Sequence, residues 1–171
     1  ERLAVLPKGQ PQALILAPTR ELALQIFASI EKLGRSHHIS ATVIVGGSDM
    51  QAQIRGLRQQ PDILVATPGR LLDHMWNGTI NLAPIKILVL DEADRMLDMG
   101  FAPQINQILD ALPVERQTLL FSATIQTDVT RLVQTSLNGA VRVMVTPAST
   151  TAPGTIPTTG SSWPPVRWPA A

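Results

Sequence analysis

Two adjacent carboxylates, Asp91 and Glu92, directly follow an apolar run that ends at Leu90, and they open the tetrad Asp91-Glu92-Ala93-Asp94. If that run is a buried parallel strand, its carboxyl end lies where ligands of α/β proteins bind. There the first acid can hold Mg²⁺ through water, and the second can orient and deprotonate an attacking water. A solvated acidic turn or a helix amino end would also explain the tetrad. Alone, the tetrad therefore favours a catalytic, metal-binding site only modestly over these structural explanations.

Four other polar or glycine-containing segments also follow apolar runs. In chain order they are Pro18-Thr19-Arg20-Glu21-Leu22-Ala23, Gly46-Gly47, Thr67-Pro68-Gly69-Arg70 and Ser122-Ala123-Thr124. Each segment by itself has an ordinary structural explanation, such as a surface arginine, a tight turn or the polar turn that follows a strand. All of these segments directly follow an apolar run. Whether they lie close together in the folded protein therefore depends on the secondary structure that the apolar runs form.

The apolar runs predict a sheet. From Ala13 to Val145, β-branched and leucine-rich runs alternate with segments of helical period, which is typical of βα units around a mainly parallel sheet. Most runs lack polar alternation, as expected for strands that helices bury on both faces. The predicted strands are 13–17, 41–45, 63–66, 85–90, 118–121 and 141–145. The predicted fold class is α/β, a three-layer sandwich with a mainly parallel sheet.

Apolar spacing and capping residues predict four helices between these strands. The first begins after Thr19 as the capping residue and ends at Gly34, and the second begins with Pro68 after a capping hydroxyl on Thr67. The apolar stripe of the first helix is Leu22, Ile26, Phe27, Ile30 and Leu33, and that of the second is Leu71, Leu72 and Met75. The third helix has Ile105, Ile108, Leu109 and Leu112, and the fourth has Val129, Leu132, Val133 and Leu137 and ends near Asn138-Gly139. We expect core positions for Met96 and Met99, solvent around His37 and His38, and packing or surface for His74.

Length and composition exclude several classes of protein. The chain has 171 residues, 44% of them hydrophobic, which suffices for one sizeable core. It has no cysteine, so disulfides and thiolate metal sites are excluded, and its net charge of +1 gives no general attraction for a polyanion. The apolar runs are too short to predict a membrane span, and no export signal is visible. The cytoplasm is the expected location.

The two ends of the chain predict different things. The chain opens at Glu1 without methionine, which suggests that upstream sequence is missing. We predict one domain over 1–145 and a disordered tail over 146–171, where threonine, proline, serine and glycine predominate. In the tail, Trp163 and Trp168 could dock a partner, but an unselected, linker or frameshifted sequence is the better explanation.

As an ordered set, the five segments resemble the motifs of the DEAD-box family of ATP-dependent RNA helicases, and the resemblance covers most of the chain from Ala13 to Val145. It implies part of a first motor domain with a RecA-like fold of the P-loop NTPase type, lacking its first strand and phosphate loop. In the intact parent, ATP and Mg²⁺ would be the cofactors, with Asp91 binding Mg²⁺ through water and Glu92 activating the hydrolytic water. Asp94, Ser122 and Thr124 would couple nucleotide state to strand separation, through a network that hydroxyls and a carboxylate can form.

The resemblance also assigns RNA binding, through the sugar-phosphate backbone, to Pro18, Thr19, Arg20, Gly46, Gly47, Thr67, Gly69 and Arg70. The chemistry agrees, because arginine suits bidentate phosphate contact, glycine permits close backbone approach, and a helix amino end offers N–H groups. Such contacts position a strand without reading bases, so binding should be sequence-independent and salt-sensitive. DNA stays open as the polymer, since phosphate contacts do not sense a 2′-hydroxyl.

A motor of this family needs a phosphate loop that ends in Gly-Lys-Thr or Gly-Lys-Ser, and the chain contains no Gly-Lys pair. The strand of that loop neighbours the Ser-Ala-Thr strand in the family, so 118–121 is expected at an unpaired edge. The second motor domain is absent as well, and we expect no ATP hydrolysis by this chain alone. The alternatives are a nucleotide-independent RNA- or partner-binding module and an inert product that does not fold.

Overall fold

The protein is described here by a computed structural model covering residues 9–124, 127–136 and 143. Its sheet has five strands, and every neighbouring pair is parallel. The strands are β1 (Ala13–Leu16), β2 (Ala41–Ile44), β3 (Ile63–Ala66), β4 (Ile87–Leu90) and β5 (Gln117–Leu120), in the order β2-β3-β1-β4-β5. The parallel α/β sheet predicted from the sequence is confirmed.

Six α-helices are described around this sheet. They are α1 (Arg20–Gly34), α2 (Met50–Arg58), α3 (Pro68–Trp76), α4 (Ala93–Asp98), α5 (Ala102–Ala111) and α6 (Thr127–Ser136), and a 3₁₀ turn, Arg35–His37, follows α1. None of the described helices combines the length and apolar character that crossing a membrane would require.

The strands separate two apolar cores, which makes the three layers. Leu14 lies in the larger core with Leu71 of α3 and Ile105 of α5, whereas its neighbour Ala13 lies in the other core with Ala23 of α1. This alternation follows from the strand itself, because successive side chains point to opposite faces. Helices on both faces explain why the three inner strands, β1, β3 and β4, are apolar throughout.

Two helices, α2 and α4, were not predicted from the sequence. In α2 the buried residue is polar, Gln53, so the helix lacks a clear apolar stripe. Asp49 caps it, with carboxylate oxygens that accept from the backbone N–H groups of Gln51 and Ala52 at 3.0 and 3.2 Å. In α4 the six residues are too few to show a helical period.

Three side-chain predictions were wrong. Leu33 is 72% exposed because the buried stripe of α1 continues through Gly34 instead, one residue further along. Met99 is 49% exposed because α4 ends before it, whereas Met96 is fully buried as predicted. Thr67 precedes α3, but its hydroxyl makes no capping hydrogen bond.

Strand boundaries also differ slightly from prediction. Ile85 is buried but donates its N–H to the Leu82 carbonyl at 3.1 Å, so it belongs to the turn before β4. Within the described residues, β5 pairs only with β4 and forms one edge of the sheet, and Phe121, just after it, is 53% exposed. Apart from Val143, the predicted strand 141–145 lies outside the described residues, as do the 145/146 boundary and the tail.

Candidate functional site

The carboxyl ends of the five parallel strands lie along one edge of the sheet, and each is followed by one of the polar segments. Backbone hydrogen bonds continue the ladder beyond the strands and so place these segments. The N–H of Asp91 donates to Leu16 at 3.0 Å, and the N–H of Thr67 donates to Ile44 at 3.0 Å. The N–H of Ala93 donates to Phe121 at 2.9 Å. The segments are therefore neighbours because their strands are.

Asp91 and Glu92 leave β4, an interior strand between β1 and β5. One Asp91 carboxylate oxygen accepts from the Glu92 N–H at 3.0 Å, and Glu92 forms an ion pair with Arg95 at 3.0 Å. Glu92 has φ 46° and ψ 52°, in the left-handed region that costs a non-glycine residue about 1–3 kcal/mol. This backbone kink turns the chain sharply from β4 into α4.

An open cleft of about 470 Å³ lies at this edge. Its lining residues are Asp91, Glu92, Asp94, Arg95, Asp98, Phe121, Ser122 and Ala123. Four carboxylates against one guanidinium make the lining acidic, which suits a cation better than a bare phosphate. No cluster of three metal-ligating acids, histidines or cysteines occurs among the described residues. Mg²⁺ fits such a site only with most of its water shell or with phosphate oxygens, the coordination that it prefers.

Asp94 joins the acidic tetrad to the turn after β5. One oxygen of its carboxylate accepts from both the backbone N–H and the hydroxyl of Thr124, each at 2.8 Å, across 30 residues of chain. The Ser122 hydroxyl donates to the Thr124 carbonyl and closes the turn. Burial tends to raise the pKa of Asp94, but hydrogen bonds from the Thr124 side chain and then its backbone outweigh burial and lower the pKa. The bonded carboxylate is thus the ionised form.

A second group of residues surrounds the glycine turn after β2. Arg20 donates from Nη1 to the Gly46 carbonyl at 3.1 Å. Gly47 has φ +71°, and a Cβ there would lie 3.1 Å from Nη1 of Arg20, so both backbone angle and space favour glycine. Pro18 is buried, whereas Thr19 caps α1 by accepting from the Leu22 N–H at 3.2 Å. The Thr19 hydroxyl therefore holds the helix start.

Arg70 ties the Thr67–Arg70 segment to the same turn. Its Nη1 donates to the Ser48 carbonyl at 3.1 Å, and its Nε lies 3.5 Å from an Asp73 oxygen. Apart from its chain neighbours and the backbone of its own helix, no described atom lies within 4 Å of a Cβ built on Gly69, so this surface is open to close approach. The Thr67 hydroxyl does not cap α3, so it does not occupy the N–H groups of the first turn of that helix.

The structure thus forms two groups from the predicted site residues. Asp91, Glu92, Asp94 and Ser122 line the acidic cleft, with Thr124 bonded to Asp94. The arginines Arg20 and Arg70 gather on the turn at 46–48 and are not among the cleft residues. Sequence reasoning missed Ser48, Gln53 and His74, which support that turn. His74 lies among Leu71, Leu72 and Met75 of α3, and a polar residue within that apolar stripe was a signal in the sequence. Gln53 gave no such signal, because α2 lacks an apolar stripe.

The parallel three-layer α/β sheet, with acids, hydroxyls and arginines along its carboxyl edge, has a RecA-like architecture. The family model described as DEAD/DEAH box helicase matches residues 2–132. The chain belongs to this family.

Curated relatives are similar to most of this chain, but the chain spans less than a third of their length. It is 52% identical over 144 residues to the ATP-dependent rRNA helicase rrp3 of Aspergillus niger, covering 83% of this chain and 31% of that protein. It is 49% identical over 148 residues to the ATP-dependent RNA helicase DRS1 of Pyricularia oryzae, covering 85% and 19%. It is 46% identical over 151 residues to the DEAD-box ATP-dependent RNA helicase 28 of Oryza sativa, covering 86% and 19%.

Proposed function

We propose that this chain is part of the first motor domain of an ATP-dependent RNA helicase, whose parent couples ATP hydrolysis to the unwinding of RNA. The observation that carries the proposal is the single cleft shared by Asp91, Glu92, Asp94 and the turn at Ser122. Relatives described as RNA helicases support it. The cytoplasm, expected from the sequence, stays a prediction.

In the cleft, the proposed roles follow from position. Mg²⁺ and ATP, when bound, would supply the phosphoryl group and neutralise its charge. Asp91 would hold the water shell of the metal through its carboxylate, and Glu92 would orient the attacking water and accept its proton. Asp94 and Thr124, joined by two hydrogen bonds, would transmit the state of this cleft to the turn after β5.

The RNA-binding role rests on the turn at 46–48 and the start of α3. Arg20 and Arg70 each donate one N–H group to a backbone carbonyl, and the Nε of Arg70 also faces Asp73. A guanidinium has five N–H donors, so others remain for phosphate oxygens. Gly46 is exposed, and Gly69 has open space around it, so a sugar-phosphate backbone can approach the main chain. Binding through these groups is independent of base sequence.

RNA binding is tested with the full chain by fluorescence anisotropy of a labelled single-stranded RNA at several salt concentrations. We expect Arg20→Ala and Arg70→Ala each to weaken binding and to lower the dependence on salt by about one unit of log-log slope. Arg58→Ala, an exposed arginine at the carboxyl end of α2, is the matched control and should leave both unchanged. Equal losses in all three variants would indicate general charge attraction and contradict the proposed site.

For the chain of residues 1–171 itself, we propose no ATPase activity above background, because no Gly-Lys pair is present to hold the phosphates. Phosphate release is measured with and without RNA. RNA-stimulated turnover that disappears in Glu92→Gln would show that the missing loop is not needed and would refute this statement.

A nucleotide-independent RNA-binding module is the second candidate. It is favoured by one observation: Arg20 and Arg70 contact the 46–48 turn and are not among the residues that line the acidic cleft. RNA affinity is compared with and without Mg²⁺ and ATP, and the upstream reading frame is read for Gly-Lys-Thr or Gly-Lys-Ser. A phosphate loop upstream supports the motor, whereas its absence, with unchanged RNA affinity, supports the module.

A further inference from the structure

A buried chain of polar side chains connects the end of β2 with α2 and α3. The Gln53 amide donates from Nε2 to the Val45 carbonyl at 2.8 Å, and its Oε1 lies 3.0 Å from Nε2 of His74. The other ring nitrogen of His74 lies 2.8 Å from the Thr79 hydroxyl. Gln53 is 6% exposed and His74 is fully buried. None of these side chains lines the acidic cleft or belongs to the segments assigned to RNA binding.

The partners determine which atom donates at each step. The Val45 carbonyl can only accept, so the NH₂ of Gln53 faces it and the amide oxygen faces His74. That oxygen also only accepts, so the proton of the ring is on Nε2. Burial, and then the charge of Arg70, lower the pKa of His74 against the opposing charge of Asp73. The Thr79 hydroxyl has one hydrogen and two acceptors of His74 within reach, Nδ1 at 2.8 Å and the backbone carbonyl at 3.0 Å. With the ring neutral and its proton on Nε2, Nδ1 is the acceptor that needs this hydrogen.

These hydrogen-bonded side chains lie between the two segments assigned to RNA binding. Val45 directly precedes the Gly46-Gly47 turn, and His74 lies on α3, the helix that begins at the Thr67–Arg70 segment. The two segments are therefore linked twice, by the partly buried hydrogen bond from Arg70 to Ser48 and in the interior by His74 through Gln53.

We propose that Gln53 and His74 are positioning residues that hold the Gly46-Gly47 turn in a fixed relation to the Thr67–Arg70 segment, so that a sugar-phosphate backbone meets both as one preformed surface. The relation to RNA rests on the function proposed above, whereas the positioning itself is a property of the chain alone. A preformed surface binds more tightly because its ordering does not have to occur on binding.

Three substitutions separate the links. His74→Phe keeps the ring volume but leaves the Gln53 oxygen buried without a donor. Gln53→Glu keeps an oxygen for His74 but removes the donor to Val45. His74→Gln can restore an N–H directed at Gln53 and is the conservative rescue. Gln51→Glu, an exposed position on the same helix, is the matched control for the charge change.

The test uses ¹⁵N relaxation of the full chain, with the imidazole ¹⁵N spectrum as a check on the Nε2–H form. We expect order parameters of about 0.85 at 46–48 in the parent chain and below about 0.6 in His74→Phe and Gln53→Glu. They should recover in His74→Gln and stay unchanged in Gln51→Glu. Unchanged values in both damaging variants, or an imidazole protonated on Nδ1 alone, overturn the proposal. If His74→Phe does not fold, Gln53→Glu against Gln51→Glu decides.

RNA affinity gives the functional readout. His74→Phe and Gln53→Glu should bind single-stranded RNA about 5- to 30-fold more weakly, the loss expected when binding must order one backbone residue. A mobile turn with unchanged RNA affinity overturns the proposed use of the positioning. A parent chain that binds no RNA contradicts the proposed function, while the order parameters still decide whether the positioning exists.

Discussion

The contact between Asp94 and Thr124 should stabilise the folded chain, and this stabilisation should depend on pH. Asp94→Asn removes the negative charge but keeps the size of the side chain, and Thr124→Val removes the hydroxyl donor but keeps the backbone N–H. The affected hydrogen bonds are both 2.8 Å long and share one carboxylate oxygen. They differ from ordinary turn contacts because the acceptor is ionised.

The magnitude follows from the type and exposure of these bonds. A hydrogen bond to a charged group contributes about 1.5–3 kcal/mol when shielded, and this contact is largely exposed, so a value near the lower end or below is expected. We expect Asp94→Asn to lower the free energy of unfolding by about 1 kcal/mol and Thr124→Val by about 0.5–1 kcal/mol near pH 7. The double variant should lose less than the sum, because the two residues share one contact.

The pH dependence has a definite sign. The pKa of Asp94 is lowered in the folded chain from an ordinary value of 3.8, so its stabilisation is fully present above that value. It is lost as the pH falls from 3.8 through the folded pKa, because the unfolded chain then binds more protons. The stability difference between the parent chain and Asp94→Asn should shrink over this interval.

Urea unfolding followed by circular dichroism, at several pH values from 7 down to 3, measures these differences. Asp98→Asn, an exposed acid on the same helix and in the same cleft, is the control and should change stability by less than about 0.5 kcal/mol. A stability difference for Asp94→Asn that is no larger than for Asp98→Asn, or that grows on acidification, would refute the reasoning.

Three further predictions concern single positions. The pKa of His74 is lowered from 6.5, so its contribution to stability is present above that value and declines as the pH falls below it; urea unfolding from pH 7.5 to 5 should show this decline, and His74→Gln should flatten it. Gly47→Ala should lower the free energy of unfolding by about 1 kcal/mol, because Gly47 has a positive φ and the new Cβ would lie close to Arg20. Gly46→Ala should change the free energy of unfolding much less, because the space around its Cβ position is open. Thermal unfolding measures both. Glu92→Gly should raise the thermal midpoint by an amount that corresponds to about 1 kcal/mol in the free energy of unfolding, because glycine adopts the left-handed backbone without strain. A lower midpoint would show that the lost ion pair with Arg95 outweighs the relieved strain.

The strands and the order of the polar segments could be read from the sequence because both depend on local patterns. A run buried on both faces must be apolar at each position, as in β3, Ile63–Ala66, where all four residues are buried. Parallel strands bring their carboxyl ends to one edge, so a segment after each run already predicts convergence. The prediction that Asp91 and Glu92 leave an interior strand is confirmed by β4 for this reason.

The predictions that failed are those for which local pattern carries little information. The helix α2 buries Gln53 instead of an apolar residue, and α4 is only six residues long, so neither shows a period. The exposure of Leu33 depends on which side of α1 meets the sheet, and a shift by one residue moves a side chain by about a quarter turn. Thr67 has the right residue type for a cap, but its side chain makes no capping hydrogen bond.

By itself, the sequence determined the α/β class, the five strands of the described sheet and the residue types available at their carboxyl ends. Only the tertiary structure decided which of those residues touch. The bond from Thr124 to Asp94 spans 30 residues, and the contact of His74 with Gln53 spans 21. The physical reason is that periodicity and capping act within a few residues, whereas the partners of a buried or charged group depend on which strands become neighbours in the sheet.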